Sequence, residues 1–286
     1  MGLFLDSGAF SAFTQKGEVN LEEYIEYIQK NRHLIKVYAV LDIIGDPEKT
    51  WENQEYMESI GLTPLPIFHI NEDWSYLERC LTYEYFAIGG TATSFSMDRR
   101  RQFFEDCWER IIDDEGFPLS RVHGLGITSP EFVSLYPWYS VDSASWRYFG
   151  PYGNILVPRM KNGKYNYKTN PYTVSCSYRI DPNKCKDGSH LLTMSKYERD
   201  HIIKYCESLG VELGKSRFLD VDEGYELKNN ESFVDKKKTK VEKIIRPGIR
   251  NNSVLRDHIC FAFYQGLCNS QPEYPWSYKP KKGGFF

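Results

Sequence analysis

The chain has 286 residues, 41% of them apolar and 15% aromatic, enough to bury one large core or two smaller ones and to place it among soluble globular proteins. No run approaches the roughly 18 apolar residues of a membrane helix, Met1 is not followed by a charged, apolar leader, and the seven cysteines (Cys80, Cys107, Cys176, Cys185, Cys206, Cys260, Cys268) are scattered. A secreted disulfide framework is thereby excluded and a cytoplasmic location expected. The net charge of −3 hides an asymmetry: residues 1–150 hold 12 Lys+Arg against 24 Asp+Glu, and residues 151–286 hold 24 against 15, giving −12 and +9.

In chain order, Gly2-Leu3-Phe4-Leu5 is an apolar strand ending on Asp6, and Ser7-Gly8-Ala9 turns sharply after it. Asn20 caps an amphipathic helix over 21–30. A strand over 36–41 ends on Asp42, and Asp46-Pro47 opens a helix running to Ser59 with Gly61 at its stop. The third strand, 65–68, ends on His69. A helix over 74–82 leads to the fourth strand, 85–88, which ends on Gly89-Gly90. Ser96 caps a helix over 97–113; a fifth strand over 121–127, a short helix from Pro130, a sixth strand over 138–141 ending on Asp142-Ser143, and a seventh over 154–157 ending on Pro158-Arg159 follow.

Strands about 25 to 35 residues apart and joined by helices signal a parallel sheet of βαβ units, and a closed (β/α)8 TIM-type barrel fits best. A dinucleotide-binding fold would need a Gly-x-Gly-x-x-Gly turn after the first strand, which Asp6-Ser7-Gly8-Ala9-Phe10 is not. In a barrel every strand's C-terminal end faces one mouth. Here those ends bring Asp6, Ser7, Asp42, His69, Gly89, Gly90, Gly124, Gly126 and Asp142 to one cavity. His123, inside the fifth strand, reads as a core histidine. Three acids gathered there would cost energy unless they bind something or share protons. One ionised carboxylate can attack an electrophilic carbon while a protonated one serves the leaving group, the division of labour of glycosidic bond exchange. The glycine turns would let the backbone approach a flat heterocycle.

The basic half interleaves cations and rings, as in Arg159-Met160-Lys161-Asn162-Gly163-Lys164-Tyr165-Asn166-Tyr167-Lys168, the composition of a polyanion-binding surface. From about residue 216 the chain is basic and irregular, with Lys236-Lys237-Lys238 and Lys279-Pro280-Lys281-Lys282. A catalytic domain over 1–215 and a basic, nucleic-acid-binding C-terminal extension over 216–286 are therefore expected.

Asp6-Ser7-Gly8-Ala9-Phe10 resembles the Asp-Ser-Gly-Gly-Phe signature of the tRNA-guanine transglycosylase family, whose members are (β/α)8 barrels. The similarity continues through Asp42, Gly89-Gly90, Gly124-Leu125-Gly126, Asp142, Val157-Pro158-Arg159 and Asn162-Gly163-Lys164, across roughly residues 3–165 in family order. The resemblance implies that Asp142 is the nucleophile that expels guanine and Asp6 the acid/base. It also implies that Asp42 hydrogen-bonds the base edge, that Ser7, Gly89 and Gly90 contact the base, and that His69 stands where the family has a polar base-contacting residue.

The family also has a zinc site of Cys-x-Cys-x-x-Cys type with a later His. Here the corresponding region offers Cys176, Cys185, His190, His201 and Cys206 at irregular spacing. No cofactor is expected, a zinc tetrad of Cys176, Cys185, His190 and Cys206 being the alternative. A short chain with a basic tail and no recognisable RNA-binding domain is similar to the viral and bacterial branch that replaces guanine in DNA by a 7-deazaguanine such as 7-cyano-7-deazaguanine, protecting the genome from nucleases. That implies DNA as partner, and the host cytoplasm as location for a viral protein. The alternatives are a tRNA-modifying transglycosylase, a hydrolase that removes a base without replacing it, and an inactive barrel that only binds nucleic acid.

Overall fold

The computed structural model describes residues 2–9, 17, 19–90, 95–186 and 188–280. Phe10 of the opening motif and the terminal Lys281-Lys282 lie outside them. These residues form a mixed α/β protein of two compact units, one of Met1–Thr128, Phe132–Ser143 and Pro272–Phe286, the other of Ser129–Glu131 and Ala144–Gln271.

In the first unit, strands β1 (Leu3–Leu5), β2 (Ile35–Tyr38), β3 (Ile67–His69), β4 (Tyr85–Gly89), β5 (Arg121–Gly124) and β6 (Ser140–Val141) alternate with helices α1 (Leu21–Lys30), α2 (Pro47–Ser59), α3 (Trp74–Cys80) and α4 (Met97–Ile111), and α5 (Pro130–Leu135) precedes β6. Pairing between these strands is parallel. β1 pairs with β2, and β3, β4, β5 and β6 form one sheet in chain order. A parallel bridge between Ala39 and Leu65 links the two sets, with Leu65 N–H donating to Tyr38 O at 2.8 Å. The expected cap residues act as such: the side chains of Asn20, Asp46 and Ser96 accept backbone N–H bonds at the starts of α1, α2 and α4.

These strands are short and mostly apolar, and the residues of β3 and most of β4 are buried, as in a parallel sheet covered on both faces. Ala39, Val40, Leu41, Ile67, Phe68, Phe86, Ala87 and Ile88 are buried. One core cluster joins Tyr24, Ile25 and Ile28 of α1 to Ile35, Tyr38 and Met57. An aromatic cluster joins Phe104 and Trp108 of α4 to Phe132, Tyr136 and Trp138, with the Trp108 and Tyr136 planes 6° apart. The sheet is strongly curled. Four strand steps along a flat sheet span about 19 Å, yet the rings of Phe4 on β1 and His123 on β5 stack with centroids 4.3 Å apart.

In the second unit, the seventh expected strand forms as β7 (Asn154–Val157), but it does not extend a parallel array: it pairs antiparallel with β10 (Tyr172–Ser175). The sequence between them folds back as a hairpin, β8 (Arg159–Lys161) and β9 (Lys164–Asn166), which returns the chain beside β7. Its turn, Asn162-Gly163, has positive φ at both residues (52° and 75°), the conformation a two-residue hairpin turn needs. Helix α6 (Trp146–Phe149) precedes β7. After α7 (Lys196–Ser208), strands β11 (Lys215–Asp220), β12 (Glu231–Phe233) and β13 (Lys240–Arg246) form an antiparallel sheet with β13 central, and α8 (Ser253–Asn269) follows. The core of this unit joins Ile155, Val157 and Val174 to Ile202, Tyr205, Ile249 and Ile259. The expected division at 215/216 therefore falls inside this unit. No helix among the described residues is long and apolar enough to cross a membrane.

Candidate active site

The ends of β1, β2, β3, β5 and β6 bring Asp6, Asp42, His69, Gly126 and Asp142 into one electrostatically coupled group. Two hydrogen-bonded networks organise it. In the first, Ser7 donates its hydroxyl to Asp42 Oδ1 at 2.7 Å and accepts the Ala9 N–H at 3.1 Å, which closes the turn after Asp6. Asp42 Oδ2 lies 3.0 Å from His69 Nε2, and His69 Nδ1 lies 3.1 Å from Glu72 Oε1. Glu72 Oε2 also accepts the His69 N–H at 2.9 Å. Burial alone would lower the imidazole's pKa. The hydrogen bonds and charges of Asp42 and Glu72 outweigh it and raise His69 to about 9, so it is a buried imidazolium at neutral pH. Asp42 is thus a buried carboxylate with each oxygen engaged, placed to hold Ser7 and His69.

The second network ends on Asp142, whose side chain is 45% exposed. Burial raises its pKa, but His123, the Gly126 N–H donating to Oδ1 at 2.9 Å and its own backbone amide more than offset this, leaving Asp142 below the ordinary carboxylate value. His123 Nε2 stands 3.4 Å from Asp142 Oδ1. On the other side of that ring, Nδ1 is 2.7 Å from Ser140 Oγ, and Ser140 Oγ is 2.7 Å from Tyr85 OH. Burial keeps the Tyr85 phenol protonated. The polarity that suits every group runs from Tyr85 O–H to Ser140, from Ser140 O–H to His123 Nδ1, and leaves the Nε2–H facing Asp142. His123 is buried, as a core histidine should be, but one of its nitrogens serves the site.

Asp6 has the opposite tendency. Burial raises its pKa first, and the negative charges of Asp142 and then Asp42 raise it further against the lowering effect of hydrogen bonds from the Ser7 and Gly8 backbone. Two neighbouring carboxyls are therefore driven apart, Asp142 toward the ionised form and Asp6 toward the protonated one. Such a pair can supply a nucleophile and a proton donor together.

The glycines divide into two kinds. Gly90 has φ +77°, and a Cβ at Gly89 would sit 3.1 Å from the His69 ring, so these two shape the turn against that imidazole. Gly126 has φ +67° and aims its N–H at Asp142. Gly124 instead lies under Ile127, Trp138 and Val141, where a Cβ would come within 2.6 Å of Ile127 Cγ1, and so serves packing. Compared with protein-family models, curated proteins and solved structures, the chain matches none.

The remaining candidates lie in the second unit. Arg159, Lys161 and Lys164 are exposed on the β8–β9 hairpin; Arg159 lies 4.2 Å over the Tyr172 ring and donates to Asn170 O. Lys236, Lys237 and Lys238 are exposed in the turn between β12 and β13. Three of the four zinc-ligand candidates are engaged with other partners. Cys176 is buried with its thiol directed at the Gly153 and Ile249 carbonyls, Cys185 Sγ faces Asp181 O, and His190 Nδ1 accepts the Leu192 N–H. Among the described residues no group of three or more His, Cys, Asp or Glu side chains could hold a metal ion. Glu72, Tyr85 and Ser140 were not legible as site residues. Only the His69-x-x-Glu72 spacing carried a signal, since it places a carboxylate one turn from a histidine.

Proposed function

We propose that this chain is a base-exchanging transglycosylase that replaces guanine in DNA with a 7-deazaguanine such as 7-cyano-7-deazaguanine. The observation that carries the reading is the opposite tendency of Asp142 and Asp6 at one edge of a curled parallel sheet. Strands in unbroken chain order suit a (β/α)8-type barrel, because a doubly wound sheet reverses its order, and the stacking of β1 on β5 suits closure.

In the reaction, Asp142 attacks the anomeric carbon of the deoxyguanosine as its bond to the base nitrogen breaks, and Asp6 gives its proton to the departing guanine. The resulting aspartyl ester holds the sugar. Asp6, now ionised, takes a proton from the incoming base, whose nitrogen attacks the same carbon and frees Asp142. His123 and the Gly126 N–H hold the Asp142 carboxylate. Ser7, fixed by Asp42, and the Gly89-Gly90 turn face the base. The cations of the β8–β9 hairpin take up backbone phosphates.

The test is nucleoside mass spectrometry of DNA and tRNA from cells that express the chain and are supplied with 7-cyano-7-deazaguanine, beside an Asp142→Asn control. A deazapurine in DNA that is missing from the control is expected. The same base in tRNA alone would replace DNA by tRNA as substrate, and abasic sites without a deazapurine would make the enzyme a hydrolase.

A further inference from the structure

The second unit contains a cavity of about 430 Å³ at the start of α8, lined among others by Tyr152, Ser177, Arg179, Glu242, Ser253 and Arg256. Its volume lies within the range of small-molecule sites. Arg256 is 6% exposed. Its Nε donates to Gly150 O at 2.6 Å and Nη1 to Ile249 O at 2.8 Å, so two neutral carbonyls hold it. None of the described carboxylates lies within ion-pair distance of it. Glu242, the acid in the cavity wall, is already engaged: Ser216 donates to Oε1 at 2.8 Å and Arg179 Nε to Oε2 at 3.1 Å. Asp257, next in sequence, forms no ion pair with it, so its charge and that of Glu242 favour the guanidinium only through space.

Stability does not account for a guanidinium there. Arg256 sits in the first turn of a 17-residue helix, where the positive end of the dipole opposes a cation; Asn252 takes up the Leu255 N–H with its side chain and the Arg256 N–H with its carbonyl. Burial also lowers its pKa, so the charge is held at a cost. Two arginines and a helix N-terminus face one already-paired glutamate. At the cavity's rim stands Tyr152, a ring 74% exposed to solvent.

We propose that this cavity binds the phosphate of a nucleotide, with Arg256 and the α8 N-terminus on the phosphate and Tyr152 stacked on the base. The site is distinct from the carboxylate group of the first unit and does not depend on base exchange taking place there.

Calorimetric titration of the full chain with inorganic phosphate, adenosine 5′-monophosphate, adenosine and a 5′-phosphorylated oligonucleotide tests it. The monophosphate should bind saturably and about tenfold more tightly than phosphate, a ring-stacking increment, and adenosine should not bind. Tyr152→Ala should erase that increment. Arg256→Gln should abolish binding, but Arg256 also ties down Gly150 and Ile249, so Ser253→Glu carries the decision. An acid at the first position of α8 suits the helix and keeps the fold, yet it repels an anion and should weaken every phosphate ligand about tenfold or more. If the oligonucleotide shares that sensitivity, the occupant is a strand end; if only the mononucleotide does, it is a free nucleotide. Absence of saturable phosphate binding, or affinity unchanged in Ser253→Glu at an unchanged melting temperature, overturns the proposal.

Discussion

Phe4 and His123 stack face to face, with ring planes 19° apart, although three strands separate theirs in the sheet. The stacking fixes the plane of the imidazole whose Nε2 faces Asp142, so one ring pair links the curl of the sheet to the surroundings of the candidate nucleophile.

Ser140→Ala removes the partner of His123 Nδ1 and frees the ring to take the other tautomer. Loss of one hydrogen bond of about 1.4 kcal/mol should slow base exchange about tenfold. Because the His123 Nε2–H would no longer be held toward Asp142, the acid limb of the pH–rate profile should move to higher pH. A purely structural role would lower the rate without moving that limb.

Asp142→Asn should abolish exchange without loss of fold, since the side chain is half exposed. Asp6→Asn should cost about 10²- to 10⁴-fold, the contribution of a positioned acid/base. With Asp6 as the proposed proton donor, the alkaline limb of the wild-type profile should follow its raised pKa and lie above that of an ordinary aspartate. Asp142→Asn removes the stronger of the two negative charges that hold Asp6 up, so a direct NMR titration of Asp6 should show its pKa lower in that variant.

His69 is raised from 6.5 to about 9 on folding. The folded state therefore holds the proton more tightly than the unfolded one, and this stabilisation is fully present below about pH 6.5 and lost as pH climbs through 9. Melting temperature should fall between pH 7 and 10, and His69→Gln, which cannot be charged, should flatten that part of the curve.

Gly124→Ala should destabilise the first unit by about 1–3 kcal/mol through overpacking against Ile127 and Trp138. Gly8, at φ +76° with open space around its Cα, should lose only about 1 kcal/mol as alanine, the cost of the left-handed backbone. Denaturant titration of the two variants separates steric from conformational cost.

Replacing Lys161 and Lys164 by alanine should weaken duplex DNA binding equally across sequences. The slope of log affinity against log salt should drop by about 0.9 for each phosphate that the hairpin no longer neutralises. An unchanged slope would remove the β8–β9 hairpin from the nucleic-acid surface.

Apart from the second strand, which stops at Tyr38 instead of running to Leu41 before Asp42, local order in the first unit was legible along the chain: apolar runs too short for helices, caps at Asn20, Asp46 and Ser96, and strand ends on Asp6, His69 and Asp142. Those features depend on neighbours within a turn or two, so periodicity and turn chemistry reveal them. The rest came from tertiary packing. The pairing of β7 with β10 was hidden because an apolar run of four residues fits a parallel or an antiparallel neighbour equally well. Asp42 at His69, the Tyr85–Ser140–His123 chain behind Asp142 and the buried Arg256 of α8 join residues up to 106 positions apart, as Arg256 and Gly150 are. Ionisation at such places follows from burial and from charges brought near by the fold, neither of which is written in the spacing of residues along the chain.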